Sequence, residues 1–310
     1  MTLTVLFAAG QDLFNDYHVP LANALKDNAP EAVLVTEAAP ETVDYIIYAP
    51  SSVLQDFTPY TRCKAVLNLW AGVEKIVGNP TLTQPLCRMV DPALTQGMVE
   101  YVSGHALRHH LGMDAHIHAR PGDWNPVDPP LAQDRSIAIL GLGALGQAVA
   151  KALSAFGFQM HGWARGPKSV PGMTCHHGPT GLTDCLSRAE ILVTLLPLTP
   201  DTENLLDTRA LAILPEGAAL INPGRGGLVD DTALIAALDS GHISHATLDV
   251  FRTEPLPADH PFWAHPRVTV TPHIAATTRP HTAAQVIAQN IARSEMGQPL
   301  LNLVDRSRGY

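Results

Sequence analysis

The chain has 310 residues, of which 46% are hydrophobic and only 16% charged, with a net charge of -9. A chain this long and this apolar has material for a sizeable core and two domains, which excludes a disordered protein and a disulfide-stapled miniprotein. Acidic residues outnumber basic ones, 29 to 20, and no Lys/Arg block occurs, so neither nucleic acid nor an anionic membrane is expected as a partner, and an anionic substrate must be captured by a local positive site.

The N-terminal MTLTVLFAAG has no basic leader and runs straight into a strand pattern, so no signal peptide is expected. Apolar runs such as Ile191 to Leu196 are far short of a membrane span. Cys63, Cys87, Cys175 and Cys185 lack CxxC spacing and read as reduced thiols of a cytoplasmic protein.

Short apolar runs at Thr4 to Ala8, Ala32 to Val35, Tyr45 to Tyr48, Ala65 to Leu69 and Leu86 to Val90 read as buried strands, separated by stretches long enough for crossover helices. That pattern predicts a parallel sheet covered on both faces. Ala93 to His118, free of proline, reads as one long helix, and the Pro-rich Arg120 to Gln133 as a surface loop. A second series of strands follows at Ile137 to Leu140, Gln159 to Trp163, Ile191 to Leu195, Ala218 to Ile221, His245 to Leu248 and Val268 to Val270. Helical periodicity marks Ala144 to Phe156 and Asp231 to Ser240, and a last helix spans Pro280 to Met296. The chain therefore reads as two α/β domains, one ending near residue 92 and the next starting near 93.

RSIAILGLGALGQAVAKAL places Gly141, Gly143 and Gly146 in G-x-G-x-x-G spacing between a strand and a helix. Gly141 serves the tight turn, Gly143 the approach of a pyrophosphate, and Gly146 close helix–sheet packing. The amides of Ala144 and Leu145, at the helix start, are placed to face the phosphates. The second strand of such a unit usually ends in an acid that bonds the ribose 2′-hydroxyl. Here Ala164 holds that position, followed by Arg165 and Lys168, which attract a 2′-phosphate, so NADP is expected over NAD. Pro197, after the strand from Ile191, completes the expected cofactor set with Asp249.

Three segments after strands of the second domain carry the candidate chemistry: INPGRGGLVD with Arg225, TLDVFRTEPLP with Asp249 and Glu254, and VTVTPHIAATT with His273. Ligands of a doubly wound sheet bind at the carboxyl ends of its strands, so these residues can converge. The set suits a small 2-oxo acid. Arg225 can fork to the carboxylate and the neighbouring carbonyl oxygen, His273 can donate a proton as hydride arrives, and Glu254 can keep that imidazole protonated.

The order GLGALG, NPGRGGLVD, LDVFRTEPLP and TPHIAA resembles the D-2-hydroxyacid dehydrogenase family over essentially the whole chain. NLWAGVEKI, WARGPKSVPG and the ending VDRSRGY are similar to its branch of glyoxylate/hydroxypyruvate reductases. The resemblance implies a doubly wound Rossmann dinucleotide-binding domain over residues 93–280 and a flavodoxin-like substrate domain over residues 1–92, completed by 281–310. It implies Arg225, Glu254 and His273 as the catalytic set, with His273 the acid/base. It further implies that the loop Trp70, Ala71, Gly72 and Val73 gives backbone amides to the substrate carboxylate, that Asp249 sits near the nicotinamide carboxamide, and that dimers form through the long helix. Pro223 and Gly224 depart from the pair, such as Thr-Ala or Leu-Ala, more frequent in the family.

Trp70 can be core at a strand end or a wall that limits substrate length. His105 and His109 share a helix face, but nothing nearby completes a zinc site, so no metal is expected and they read as solvated or interface residues. His116, His118, His176 and His177 are expected on loops. Two alternatives remain at this level: another dehydrogenase of the same family, or a nicotinamide-sensing corepressor, which keeps a similar catalytic set.

Overall fold

Tyr45–Tyr48 is buried at all four positions, as are Ala65–Asn68, Ile191–Thr194 and Ala218–Asn222. Runs without a polar alternation suit strands covered on both faces, and among the described residues every pairing of one strand with another is parallel, apart from a single antiparallel bridge from Cys87 to Leu303. The computed structural model describes residues 2–310. It falls into two units: the first runs to Leu94 and resumes over Thr277–Tyr310, and the second is Thr95–Ala276.

The first unit holds strands β1 (Leu3–Phe7), β2 (Ala32–Val35), β3 (Tyr45–Tyr48), β4 (Ala65–Asn68) and β5 (Leu86–Cys87), with helix α1 (Gln11–Asn28) between the first two. The order β2-β1-β3-β4-β5 is the flavodoxin-like one. One face of the sheet packs on α1 and the helix Pro280–Glu295, through Leu21, Leu25, Ala284, Ile287 and Ile291. The other face buries Ile46, Phe57, Val66 and Leu82.

The second unit begins inside helix α2 (Pro92–His110), followed by the short α3 (Met113–Ile117). Its sheet contains β6 (Ser136–Leu140), β7 (Gln159–Ala164), β8 (Met173–His177), β9 (Ile191–Thr194), β10 (Ala218–Asn222), β11 (Ile243–Leu248) and β12 (Val268–Val270). The order β12-β11-β10-β9-β6-β7-β8 is the doubly wound Rossmann arrangement, extended by one strand. Helices α4 (Ala144–Ser154), α5 (Gly178–Leu186), α6 (Thr208–Ile213) and α7 (Asp231–Ser240) join its strands, and Pro280–Glu295 is α8. In α4 the buried residues Gly146, Val149, Ala150 and Leu153 fall at i, i+3, i+4 and i+7, one stripe against the sheet. Asp230 caps α7 by accepting from the Ala233 amide at 2.9 Å, and Gly241 ends it at φ 82°.

The structure differs from the sequence reading in several places. The long helix is two: Gly112, at φ 61°, breaks it, because glycine tolerates a left-handed turn at no steric cost. The first sheet has one crossover α-helix between consecutive strands, while β2 and β3 are joined through a short 3-10 turn at Pro40–Thr42 and β3, β4 and β5 by turns and irregular chain. Strand β8 has no counterpart among the expected strands; its residues alternate in polarity, and it carries His176 and His177, while His116 lies on α3. The two units divide at Leu94/Thr95 and Ala276/Thr277.

Candidate active site

All strands of the second sheet run the same way, so their carboxyl ends share one edge. Along that edge, in the order of the strands, stand His273 after β12, Asp249 and Glu254 after β11, Arg225 after β10, Pro197 after β9, Gly141 after β6 and Arg165 after β7. Strand order reverses between β9 and β6, where the glycine turn lies and where such sheets bind ligands.

The turn fits a dinucleotide on its own geometry. Gly141 has φ 109°, and a β-carbon there would lie 2.6 Å from the Leu195 carbonyl oxygen. A β-carbon on Gly146 would lie 1.9 Å from the Gly141 oxygen, so the helix packs against the turn only as glycine. Beside Gly143 nothing lies within 4 Å, which leaves room for a phosphate. No side chain caps α4, and the amides of Ala144 and Leu145, in its first turn, have no intrahelical acceptor.

Arg165 and Lys168 are exposed after β7. The Arg165 guanidinium reaches Asp201, Nη2 to Oδ2 at 3.6 Å. Pro197 is half-buried, and its carbonyl accepts from the Thr202 hydroxyl at 2.7 Å.

Arg225 is set by a buried asparagine. Asn222 donates to the Arg225 carbonyl at 3.0 Å and accepts from the Gly224 amide at 3.2 Å and the Thr194 hydroxyl at 2.6 Å. A β-carbon on Gly224 would meet the Thr194 oxygen at 2.7 Å, so the departure at this position accompanies a loop drawn close to β9. The Arg225 guanidinium donates to the Gly224 carbonyl at 2.7 Å.

Glu254 and His273 form a pair. His273 Nδ1 lies 2.7 Å from Glu254 Oε2, and Glu254 Oε1 accepts from the Phe251 amide at 2.9 Å. Both side chains remain accessible, at 51% for His273 and 34% for Glu254. With Nδ1 taken, the other ring nitrogen, Nε2, is left for chemistry. Asp249 is fully buried. Its oxygens are drawn to the turn carrying His273, accepting from the Ile274 and Ala275 amides at 2.9 Å each and from the Thr271 hydroxyl at 2.6 Å.

In the first unit, Trp70 is 42% exposed and follows β4 rather than lying in the core. Asn68 donates to the carbonyls of Trp70 and Gly72 at 2.8 and 3.0 Å, and the Met89 amide to Trp70 at 3.0 Å. The loop is thus held by its carbonyls, while the amides of Ala71 and Gly72 have no acceptor among the described residues. Arg306 secures the chain beyond it through the carbonyls of Val77, Asn79 and Leu82.

Of the helix histidines, His109 is not solvated: its side chain is 4% exposed and bonds Thr247 at 3.0 Å, while His105 is half-buried. On β11, His245 bonds Thr269 at 2.8 Å. Sequence reasoning also missed Asn68, Thr194, Asn222, Thr271 and Tyr101. The asparagines stood in view inside NLWAG and NPGRGG, whereas Tyr101 gave no signal.

A fold of this kind with an arginine, a glutamate–histidine pair and a dinucleotide turn on one sheet edge defines a nicotinamide-dependent dehydrogenase. The family model for the D-isomer specific 2-hydroxyacid dehydrogenase NAD binding domain matches residues 105–275, and the chain belongs to that family. It is 41% identical over 257 residues to glyoxylate/hydroxypyruvate reductase A of Serratia proteamaculans (strain 568), covering 80% of this chain and 82% of that protein. Among solved structures it is similar to a D-isomer specific 2-hydroxyacid dehydrogenase from Xanthobacter autotrophicus Py2 in complex with NADPH and MES, at 40% identity and TM-score 0.92 over the whole of both chains. It is also similar to the NADPH-dependent glyoxylate/hydroxypyruvate reductase of Sinorhizobium meliloti in complex with NADP and sulfate, at 32% identity and TM-score 0.85, again over both whole chains. Among the described residues no helix is long and apolar enough to cross a membrane.

Proposed function

We propose that this dehydrogenase uses NADPH to reduce small 2-oxo acids, glyoxylate to glycolate and hydroxypyruvate to D-glycerate. The observation that carries the reading is the 2.7 Å contact between His273 Nδ1 and Glu254 Oε2, one strand end away from the Arg225 loop. Relatives named for this activity support it.

NADPH bound at Gly141, Gly143 and Gly146 supplies the hydride. Arg225 holds the substrate carboxylate and the carbonyl oxygen in a fork. Glu254 fixes the imidazole of His273, which keeps its transferable proton on Nε2 and gives it to the carbonyl oxygen. The amides of Trp70, Ala71 and Gly72 take the carboxylate, and the Trp70 indole limits substrate length. Ala144 and Leu145 face the pyrophosphate, Pro197 lines the cofactor path, and Arg165 and Lys168 receive the 2′-phosphate. The enzyme is cytoplasmic and a homodimer formed through α2 and the exposed apolar residues after it, Leu111, Met113, Ile117 and Trp124.

A panel of glyoxylate, hydroxypyruvate and pyruvate, each with NADPH and NADH, tests the reading. The expected result is turnover of the first two with a preference for NADPH. Tight NADPH binding without turnover of any oxo acid would overturn it in favour of a nicotinamide-sensing binding protein. A monomer in light scattering would overturn the dimer.

A further inference from the structure

We propose that Tyr101, on α2, is a positioning residue for His273, acting through Thr271 and Asp249. The proposal rests on the reading of His273 as proton donor. His273 has φ 54°, a left-handed conformation that a histidine adopts at a cost and keeps only when its surroundings dictate it. Asp249 supplies that constraint. Its backbone carbonyl accepts from the His273 amide at 2.9 Å, and its carboxylate takes the amides of Ile274 and Ala275 together with the Thr271 hydroxyl. The catalytic turn is thereby tied to one buried residue at four points, three through its carboxylate and one through its backbone carbonyl.

Thr271 in turn lies 2.7 Å from the Tyr101 hydroxyl. A threonine hydroxyl has one proton, and that of Thr271 goes to Asp249 Oδ1. Tyr101 is therefore the donor in the outer bond. Burial, aided by the charge of Asp249, holds the Tyr101 phenol well above its ordinary range, so it remains a donor at every working pH. The donor sits on a firm base. Met98, Val102 and Ala106 of α2 lie in the core beneath the sheet, and the His105 ring packs against the Tyr101 ring at 4.5 Å. The same helix meets the turn a second time, since a β-carbon on Gly97 would touch the Ala275 carbonyl oxygen at 3.4 Å. Tyr101 thus fixes the rotation of the Thr271 hydroxyl, which fixes one oxygen of Asp249, which fixes the turn that aims the imidazole.

The test compares Tyr101→Phe, Thr271→Val, Thr271→Ser and the double variant Tyr101→Phe/Thr271→Val, with glyoxylate and NADPH. Displacing a catalytic group by an ångström costs ~100-fold, and a loosened turn falls within that bound. Tyr101→Phe should lower kcat by about tenfold with the KM for NADPH unchanged, Thr271→Val should lower it at least as much, and Thr271→Ser should restore it. The double variant should be no slower than Thr271→Val alone, because Tyr101 acts through the hydroxyl already removed. Additive losses, or an unchanged kcat in Tyr101→Phe, would overturn the proposal. Imidazole NMR signals of His273, assigned by their loss in His273→Asn, should move in Tyr101→Phe and Thr271→Val and stay in place in Thr271→Ser. Signals that stay in place in Tyr101→Phe would overturn it as well. That readout needs no turnover, so a wild-type protein inactive on glyoxylate would sink the substrate reading and leave this one to be decided. Unchanged NADPH binding by fluorescence identifies the variants as folded.

Discussion

A β-carbon on Gly226 would lie 2.0 Å from the carbonyl carbon of Phe251. The loop that carries Arg225 and the loop that carries Glu254 therefore touch backbone to backbone. Arg252 joins them again by donating to the Val229 carbonyl at 2.6 Å. Gly226→Ala must force the two loops apart. A shift near an ångström between the charge clamp and the carboxylate that fixes the proton donor should cost ~100-fold in kcat/KM. Steady-state kinetics on the variant check this, and an alanine enzyme as fast as wild type would show that the contact relaxes freely.

Arg225→Lys keeps the charge and loses the fork. The loop itself should stay in place, because Asn222 holds it through the backbone carbonyl of residue 225 and not through its side chain. The expected loss is about 2–4 kcal/mol of transition-state stabilisation, the scale for removing one preorganised donor. Near wild-type kcat/KM for glyoxylate in the lysine variant would remove Arg225 from the site.

The cofactor preference should respond to Asp201. Its carboxylate stands 3.6 Å from the Arg165 guanidinium, where, on the proposed reading, it would compete with a 2′-phosphate. Asp201→Asn should lower the KM for NADPH and leave that for NADH alone. Conversely, Ala164→Asp with Arg165→Ser adds a repulsion and removes a charged hydrogen bond worth about 1.5–3 kcal/mol, which corresponds to at least tenfold in preference toward NADH. Paired KM measurements with both cofactors decide each case.

Acid should weaken the fold through His109. Burial, with the neighbouring His245 adding to it, lowers this imidazole to about 3. The folded chain therefore keeps it neutral, while the unfolded chain takes up a proton near pH ~6.5. The stabilisation is complete above that pH and is lost as pH falls toward the folded value. At pH 5 the loss is about 2 kcal/mol, at ~1.4 kcal/mol per pH unit. Melting curves at pH 7.5 and 5 should show a smaller acid-induced drop in Tm for His109→Gln than for wild type. Equal drops would place the acid sensitivity elsewhere.

Much of this was legible because the central strands of each sheet are uninterrupted apolar runs and because glycine leaves a spacing when backbone meets backbone. Arg225, Glu254 and His273 could be read as a set since each follows a strand of one parallel sheet. What the sequence hid is what depends on a partner far along the chain. Tyr101 meets Thr271 across 170 residues, and nothing in the vicinity of either announces the other. The place of Asp249 came from the family resemblance, and only the fold shows its oxygens turned toward the next strand's turn. The break at Gly112 was equally hidden, since an isolated glycine is tolerated within a helical pattern and does not by itself end one.

Helix α8 buries Ala283, Ala284, Ile287 and Ile291 in the same core as β1, β3 and β4. The first unit is therefore assembled from the two ends of the chain, while the second is one continuous stretch. During synthesis, Val5, Phe7, Tyr45 and Ile47 leave the ribosome long before the helix that covers them, and all of Thr95–Ala276 is made in between. Helix α1 emerges early, but the part of that face which α8 covers must wait until α8 is made, a period in which it is open to chaperones and to misassociation. Stalled or shortened nascent chains should thus aggregate through their first ninety-odd residues, whatever lesion near the C-terminus caused the delay.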